Sequence, residues 1–464
     1  MGLPLAGLLF ASTANAQEWL KDRRFSEGPG YRAGDLELHP GLGGEVGYDS
    51  NWFLRSDKTG PNIVNGAPNL PVRDGGVFRI TPSLTVSTLG PQRNTGPAGE
   101  PPTVSFRGGV AATYREFIGG QELRDQRNLS AHADARVDIL PGRPWGLGVF
   151  GLYDRTIQPT VLGNPDLSFN RDTLGAGAEV IATPNSGTLD WRLGYQVNAA
   201  LFESSNGAPF NNVTHEVNTR GRWKFRPRTA FLYDATMRFL GYTQADRAVN
   251  ALHDSTPVRA RLGMSGLITP RVAFLGMAGW GASFFRQGNN PVPTQQYDSI
   301  IGQAEVKFFP TANAVSGDMS DASLTLSSIA LGYVRDYQNS YLGDFYGSDR
   351  GYAKIVYFFA GRALVSLEGG VGAIEYPDIY VNPASGITAN GGRIATKFTD
   401  TRVDGTLFTE YRFLDSLGLN ATFSYLQNIS NTQLPVPVVP PAQPQVYDMS
   451  WKRFQATLGL RWFL

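Results

Sequence analysis

The sequence predicts an all-β protein, a transmembrane antiparallel β-barrel of about eighteen strands with short periplasmic turns and longer extracellular loops. Three observations predict it. Apolar and polar residues alternate with period two through most of the chain, a strand signal. Connections alternate between short and long. After an export-type leader, no run of about 18 apolar residues could form a membrane helix. Backbone hydrogen bonding leaves only helices and closed barrels as spanning forms, so an exported chain of strands points to a barrel.

The composition of the 464 residues agrees: 54 Gly, 12% aromatic and only 17% charged residues do not suit a string of soluble domains. Zero Cys excludes disulfide scaffolds, iron–sulfur clusters and thiol catalysis. A net charge of +1 gives no global pull toward nucleic acid. Four His and no spaced ligand set leave little for metal or acid–base chemistry, so no cofactor, metal or catalytic residue is expected.

Leu3 to Ala11 are almost wholly apolar and Ala14-Asn15-Ala16 resembles a cleavage site, so residues 1–16 are expected to be a signal peptide. No basic residue precedes the apolar core, which suggests that the true start lies further upstream. Residues 17–35 are a short periplasmic segment, too short for the plug of a gated receptor. Residues 36–464 are the barrel.

Within it, Asn128 to Ile139 sorts cleanly by parity: Leu129, Ala131, Ala133, Ala135, Val137 and Ile139 oppose Asn128, Ser130, His132, Asp134, Arg136 and Asp138. A helix would bury half of those charges. Similar segments begin near Leu36, Gly76, Thr103, Arg127, Trp145, Phe169, Thr188, Asn212, Arg228, Ser255, Arg271, Tyr297, Ala322, Asp349, Arg362, Ala395, Ser416 and Ser450. Those at Arg271 and Ala322 alternate poorly, and a bulge is expected at Ser327-Ser328. Short turns such as Pro141–Pro144, Arg226–Arg228, Thr269–Arg271 and Leu414–Ser416 take the periplasmic side. Leu89–Pro102 and Pro310–Asp321, longer than that rule allows, read as tolerated insertions. Ser50–Gly75 and the proline-rich Pro435–Gln445 are loops able to constrict the mouth.

Trp145 and Tyr153 share a face roughly 20 Å apart in height at a tilt near 40°, close to the band between two aromatic girdles. Trp191, Trp223, Phe225, Phe413 and Trp462 fall on apolar faces at the inner rim. The final Gly459–Leu464 alternates as a terminal strand that the barrel assembly machinery would engage.

Leu36–Leu42, Tyr48–Phe53 and Phe78–Leu84 resemble the beta-barrel porin-2 family, over about the first third of the chain in recognisable motifs. The resemblance implies an outer-membrane barrel, some members being associated with exopolysaccharide export. It implies no catalytic residues. A polysaccharide and periplasmic export partners follow from it as expected partners, beside the lipid bilayer itself; no nucleic acid is expected.

Polar parity faces the interior of such a barrel. Seven Lys against 34 Arg give that face rigid forks suited to carboxylate and phosphate, though genome composition yields the same bias. The expected lumen-lining, solute-guiding residues are Arg220, Arg222, Lys224, Arg226, Arg238, Arg259, Arg261, Arg107, Arg136, Arg192, Arg402 and Arg412. Two readings stand side by side: a cross-strand ion-pair ladder stiffening the wall, with Asp234 and Glu216 as partners, or a basic stripe guiding an anion. The expected function is a channel for hydrophilic, anionic-leaning solutes or an exported exopolysaccharide. The alternatives are an adhesin barrel acting through its loops, and a hydrolase that would draw on His132 and Asp134.

Overall fold

The computed structural model describes residues 30–57, 71–88, 102–157, 170–204, 207–243, 252–288, 291–310, 327–341, 343–359, 362–381, 392–414, 416–436 and 445–464. The expected signal peptide and the proline run of Pro435–Gln445 lie largely or wholly outside them, as do most of the two long lower connections.

Eighteen antiparallel staves close on themselves. In chain order they are β1 Leu36–Asp49, β2 Gly75–Thr88, β3 Val104–Ile118, β4 Asn128–Ile139, β5 Trp145–Thr156 and β6 Arg171–Ala182. Next come β7 Leu189–Phe202, β8 Asn212–Arg226, β9 Thr229–Tyr242, β10 Ser255–Thr269, β11 Val272–Phe285 and β12 Tyr297–Phe308. Last come β13 Ser328–Asn339, β14 Phe345–Phe359, β15 Ala363–Tyr376, β16 Phe398–Leu414, β17 Leu417–Ile429 and β18 Trp451–Phe463. Each stave pairs with its sequence neighbours, and β18 pairs with β1 from Gly41↔Phe463 to Asp49↔Gln455. Closure removes both sheet edges, which hydrocarbon demands. A short strand Tyr31–Ala33 folds back on the start of β1.

Parity sets the two faces. Leu262, Ile300, Leu331 and Trp145 are among the most exposed large apolar residues, and all point outward. Exposure of this kind around a whole wall is a lipid-facing surface, so the protein is a barrel of the bacterial outer membrane. On the lower rim, Trp223, Phe225 and Phe231 stack with centroids 4.6 to 6.1 Å apart. Tyr357–Phe359 and Tyr411–Phe413 form similar pairs on the same rim. On the upper rim, outward aromatics donate to acidic residues above them: Tyr48 to Asp74 and Tyr153 to Asp172, both at 2.8 Å, and Trp280 to Asp298 at 2.5 Å. An apolar ring with a polar tip suits the boundary between hydrocarbon and headgroups.

The lower turns are tight, down to Pro227-Arg228 between β8 and β9. In the turn after β4, Gly142 adopts φ 76°, a conformation natural to glycine. Register shifts fall at Thr229/Ala230, Leu267/Thr269 and Arg412/Leu414, each beside a lower turn. The bulge expected at Ser327-Ser328 is absent: Ser328 to Asn339 pairs with β14 without a shift. Strand β14 begins at Phe345 rather than near Asp349. Its first residues are folded into the barrel, so they face protein on both sides and carry no lipid-facing alternation.

Candidate functional site: the charged lumen

The polar parity lines the interior. Toward the lower end of β3–β8 it presents Arg107, Arg136, Arg192, Arg220, Arg222, Lys224 and Arg226 against three carboxylates, Asp138, Glu179 and Asp190. Glu179 of β6 is 5% exposed and forms the hub. Arg136 of β4 bonds it closely, Arg192 of β7 approaches to 3.4 Å and Arg220 of β8 to 3.3 Å. The outer arms of the hub are Asp138, 2.9 Å from the Arg136 Nε, and Asp190, 3.2 Å from the Arg192 Nε and 4.0 Å from Arg222. The three guanidiniums and three carboxylates of the hub balance, so the surplus of positive charge comes from Arg222, Lys224 and Arg226 beside it and from Arg107, which lies across the ladder from Arg136.

The opposite wall is closer to balance. Arg350 bonds Asp404 at 2.9 Å and Glu368 at 3.1 Å, and Arg412 bonds Glu410 at 2.9 Å. Arg461 lies 3.6 Å from both Glu45 and Glu410, and Arg79 is 2.8 Å from Glu45. Arg402 reaches the Asn428 amide oxygen at 3.5 Å and lies over the Trp451 ring at 5.8 Å.

Beyond β8 the expected stripe is interrupted. Arg238 bonds Glu216 at 2.5 Å and Arg261 bonds Asp234 at 2.9 Å. Arg261 and Arg259 are each only 6% exposed. Arg259 is covered by the upper half of β13, donating to Asp336 at 3.0 Å and stacking on the Tyr337 ring at 4.3 Å. The structure therefore departs from the open stripe at these two positions: β13 folds over Arg259, and Arg261 is held by Asp234 of β9. Of the hub carboxylates, the sequence placed Asp138 on the polar face beside Arg136, while Glu179 and Asp190 were missed. An acidic residue on the face of β6 that otherwise carries Arg171, Thr173, Gly175, Gly177 and Ile181 was the available signal for Glu179.

The mouth is narrowed by the first loop. Trp52, Phe53 and Leu54 are 1% exposed, and Trp52 and Phe53 pack with Val77, Phe117, Leu123 and Ile157. The Trp52 ring lies between two guanidiniums, Arg115 at 5.2 Å and Arg453 at 5.1 Å. Asn51 clamps this turn, its amide donating to the Arg55 carbonyl at 2.7 Å and to the Lys452 carbonyl at 2.9 Å. The Arg55 guanidinium, with Arg73 beside it, holds the Glu122 carboxyl below the usual carboxylate range.

A second set of loops is tied by His253. Its Nδ1 lies 2.6 Å from Asp344 and its Nε2 3.1 Å from the Val292 carbonyl. Asp344 also accepts from the Gln295 backbone N–H at 2.7 Å, and the Gln295 carboxamide oxygen accepts from the Asp378 N–H at 3.1 Å. Burial pushes the His253 imidazole down, but the Asp344 hydrogen bond and charge outweigh it and leave its pKa above the ordinary value. Among the described residues no cluster of three or more His, Asp or Glu could hold a metal ion. His132 stands on the lumen wall 3.4 Å from Asp134 and 3.9 Å from Asp154.

No family model matches the chain, and no curated protein matches it. Among solved structures it is similar to OccAB4 of Acinetobacter baumannii, at 9% identity over 92% of this chain and 98% of that one, with TM-score 0.44. The outer membrane protein OpdK of Pseudomonas aeruginosa gives 10% identity over 93% and 98%, with TM-score 0.43. The siderophore receptor PirA of the same organism gives 9% over 94% and 81%, with TM-score 0.42.

Proposed function

We propose that the protein is a passive outer-membrane channel for small hydrophilic solutes that favours anions. The observation that carries this reading is the excess of cationic side chains over Asp138, Glu179 and Asp190 on the lower lumen face of β3–β8. The hub on Glu179 stiffens the wall with its charges balanced, and the cations around it leave net positive charge facing the passage. The ladder and guiding readings of the Arg-rich face are thus compatible: Arg136, Arg192 and Arg220 do the first, while the surplus from Arg107, Arg222, Lys224 and Arg226 does the second. A field of one sign in a narrow wet passage raises the local concentration of the opposite ion. Arg238, Arg402 and Arg412 sit at the margins of this field, and Arg259 and Arg261 add to it from behind other side chains.

Membership of the beta-barrel porin-2 family is consistent with the β1 and β2 motifs. Polysaccharide export is the more specialised version of the same passage, and the inward Trp52 turn counsels against a wide polymer conduit. Reconstitution in planar bilayers under a salt gradient tests the proposal. A reversal potential on the anion-selective side, moving toward zero in Arg220→Gln/Arg222→Gln, is the expected result. Cation selectivity in the native protein would overturn it.

A further inference from the structure

The seam between β12 and β13 is the shortest in the wall. The ladder between β12 and β13 has seven facing pairs, from Phe308↔Ile329 up to Gly302↔Arg335, while every other pair of adjacent staves has nine or more. Both strands continue above that point, each with its other neighbour: Tyr297 faces Ser283 of β11, and Asp336 to Asn339 face β14. They part because β13 turns inward. Asp336 is drawn to Arg259, and the Asn339 amide donates to Ser255 Oγ at 2.6 Å and accepts from Ser283 Oγ at 3.2 Å. The Tyr337 hydroxyl donates to the carbonyls of Val258 and Ala282 at 3.0 and 2.5 Å. Gly281 makes the room, since a Cβ there would stand 2.8 Å from the Tyr337 ring.

The two edges therefore overlap, with β13–β14 inside and β12 outside. The overlap is filled by rings: Tyr297 stacks on Tyr337 at 4.2 Å and meets Phe345 at 5.2 Å, beside the 1% exposed Ile301. Among the described residues the outer gap is bridged by one side chain, Arg335, whose Nε donates to the Ile300 carbonyl at 3.1 Å and whose Nη2 donates to Ser299 Oγ at 3.3 Å. Ile300 is 71% exposed on the lipid side and faces Trp280, whose indole marks the upper girdle. The gap thus opens at the boundary of the outer leaflet, and behind it Arg259 belongs to the lumen wall.

We propose that this seam is a lateral portal through which the acyl chain of a single-chain amphiphile passes between the outer leaflet and the lumen. Parting β12 from Tyr337 breaks an aromatic stack and the two hydrogen bonds of the Arg335 guanidinium to β12 but no strand-to-strand ladder, while the Tyr337 hydroxyl holds the inner side of the gap to β10 and β11. The overlap is one stacked pair of rings thick, so what displaces the Tyr297–Tyr337 stack is a single hydrocarbon chain and not a folded or branched solute. Its polar ends, Arg335 outside and the Arg259–Asp336 pair inside, offer hydrogen bonds to a headgroup at either end of the transit.

The absence of native cysteine allows a direct test in liposomes. Ile301→Cys is exposed to an alkyl maleimide dissolved in the bilayer and, separately, to a charged water-soluble maleimide. Leu331→Cys on the open lipid face serves as the reactive control and Ala230→Cys as the shielded one, with heat-modifiable gel mobility confirming the fold of each. Bilayer labelling of Ile301→Cys is expected, slowed by added oleate. It should rise about five-fold in the Tyr337→Phe background, the factor one neutral hydrogen bond is worth, and further in Tyr337→Ala. Labelling no faster than Ala230→Cys in all three backgrounds, or equal labelling by the charged reagent, would overturn the portal. Channel conductance recorded on the same samples reports separately on the passage itself.

Discussion

Arg453 of the last stave forks onto Asp49 of the first across 404 residues of sequence, its Nε 3.0 Å from one carboxylate oxygen, and Gln455 donates to the other at 2.7 Å. Both charged residues are almost wholly buried, at the upper end of the seam that closes the barrel. The pair joins the ends of the chain where the Trp52 turn enters the mouth.

Removing one partner of that pair leaves a buried charge alone. Arg453→Met is expected to destabilise the barrel by about 3–5 kcal/mol, and the double variant Asp49→Asn/Arg453→Met by clearly less. The temperature at which the folded gel band is lost reads this; equal losses in both would refute the pairing.

Glu179→Gln removes the hub charge from among Arg136, Arg192 and Arg220. Stability should fall, and the anion-to-cation permeability ratio should rise. A ratio that falls, in bilayer recordings under a salt gradient, would contradict the assignment of the hub to the conducting wall.

The His253–Asp344 tie gives the outer loops a pH dependence. A histidine whose folded pKa exceeds its unfolded one, about 6.5, contributes stability that is complete below the unfolded value and lost as pH rises through the folded one. Val292, Thr294, Gln295 and Gln296 should therefore exchange their amide hydrogens more slowly, relative to the intrinsic rate, at mildly acidic than at alkaline pH. In His253→Gln that difference should vanish; its persistence would assign it to another group.

The lipid face is tested by Leu262→Arg. Leu262 lies mid-strand on β10 and is 72% exposed, so an arginine there should cost about 2–4 kcal/mol in lipid. Leu189→Arg, at the lower rim, should cost about 0–1 kcal/mol. Equal costs in reversible unfolding from vesicles would show that this surface is not embedded as described.

Opening the mouth is the last test. Trp52→Ala takes away the ring between Arg115 and Arg453, and single-channel conductance should rise if the turn limits flow. Unchanged conductance in a variant that keeps its folded band would place the narrowest point elsewhere.

Strand periodicity alone determined much of this molecule. The parity of Asn128–Ile139 or Phe454–Leu464 separates lipid face from lumen because a strand turns each successive side chain to the opposite side, a local rule needing no knowledge of neighbours. Stave starts at Leu36, Trp145, Asn212, Ser255 and Tyr297 follow from it directly. Tertiary structure decided what depends on register between strands. Whether Arg220 meets Glu179, and whether Arg259 lies open or under Tyr337, is fixed by which residues face each other across ladders and by where a ladder stops. The inward turn at Trp52 and the break above Gly302 have no period to betray them. The side chains of the Trp52 turn, and Asp336 and Tyr337 of β13, are buried on both sides, so the contrast between oil and water that writes a strand into sequence is missing there.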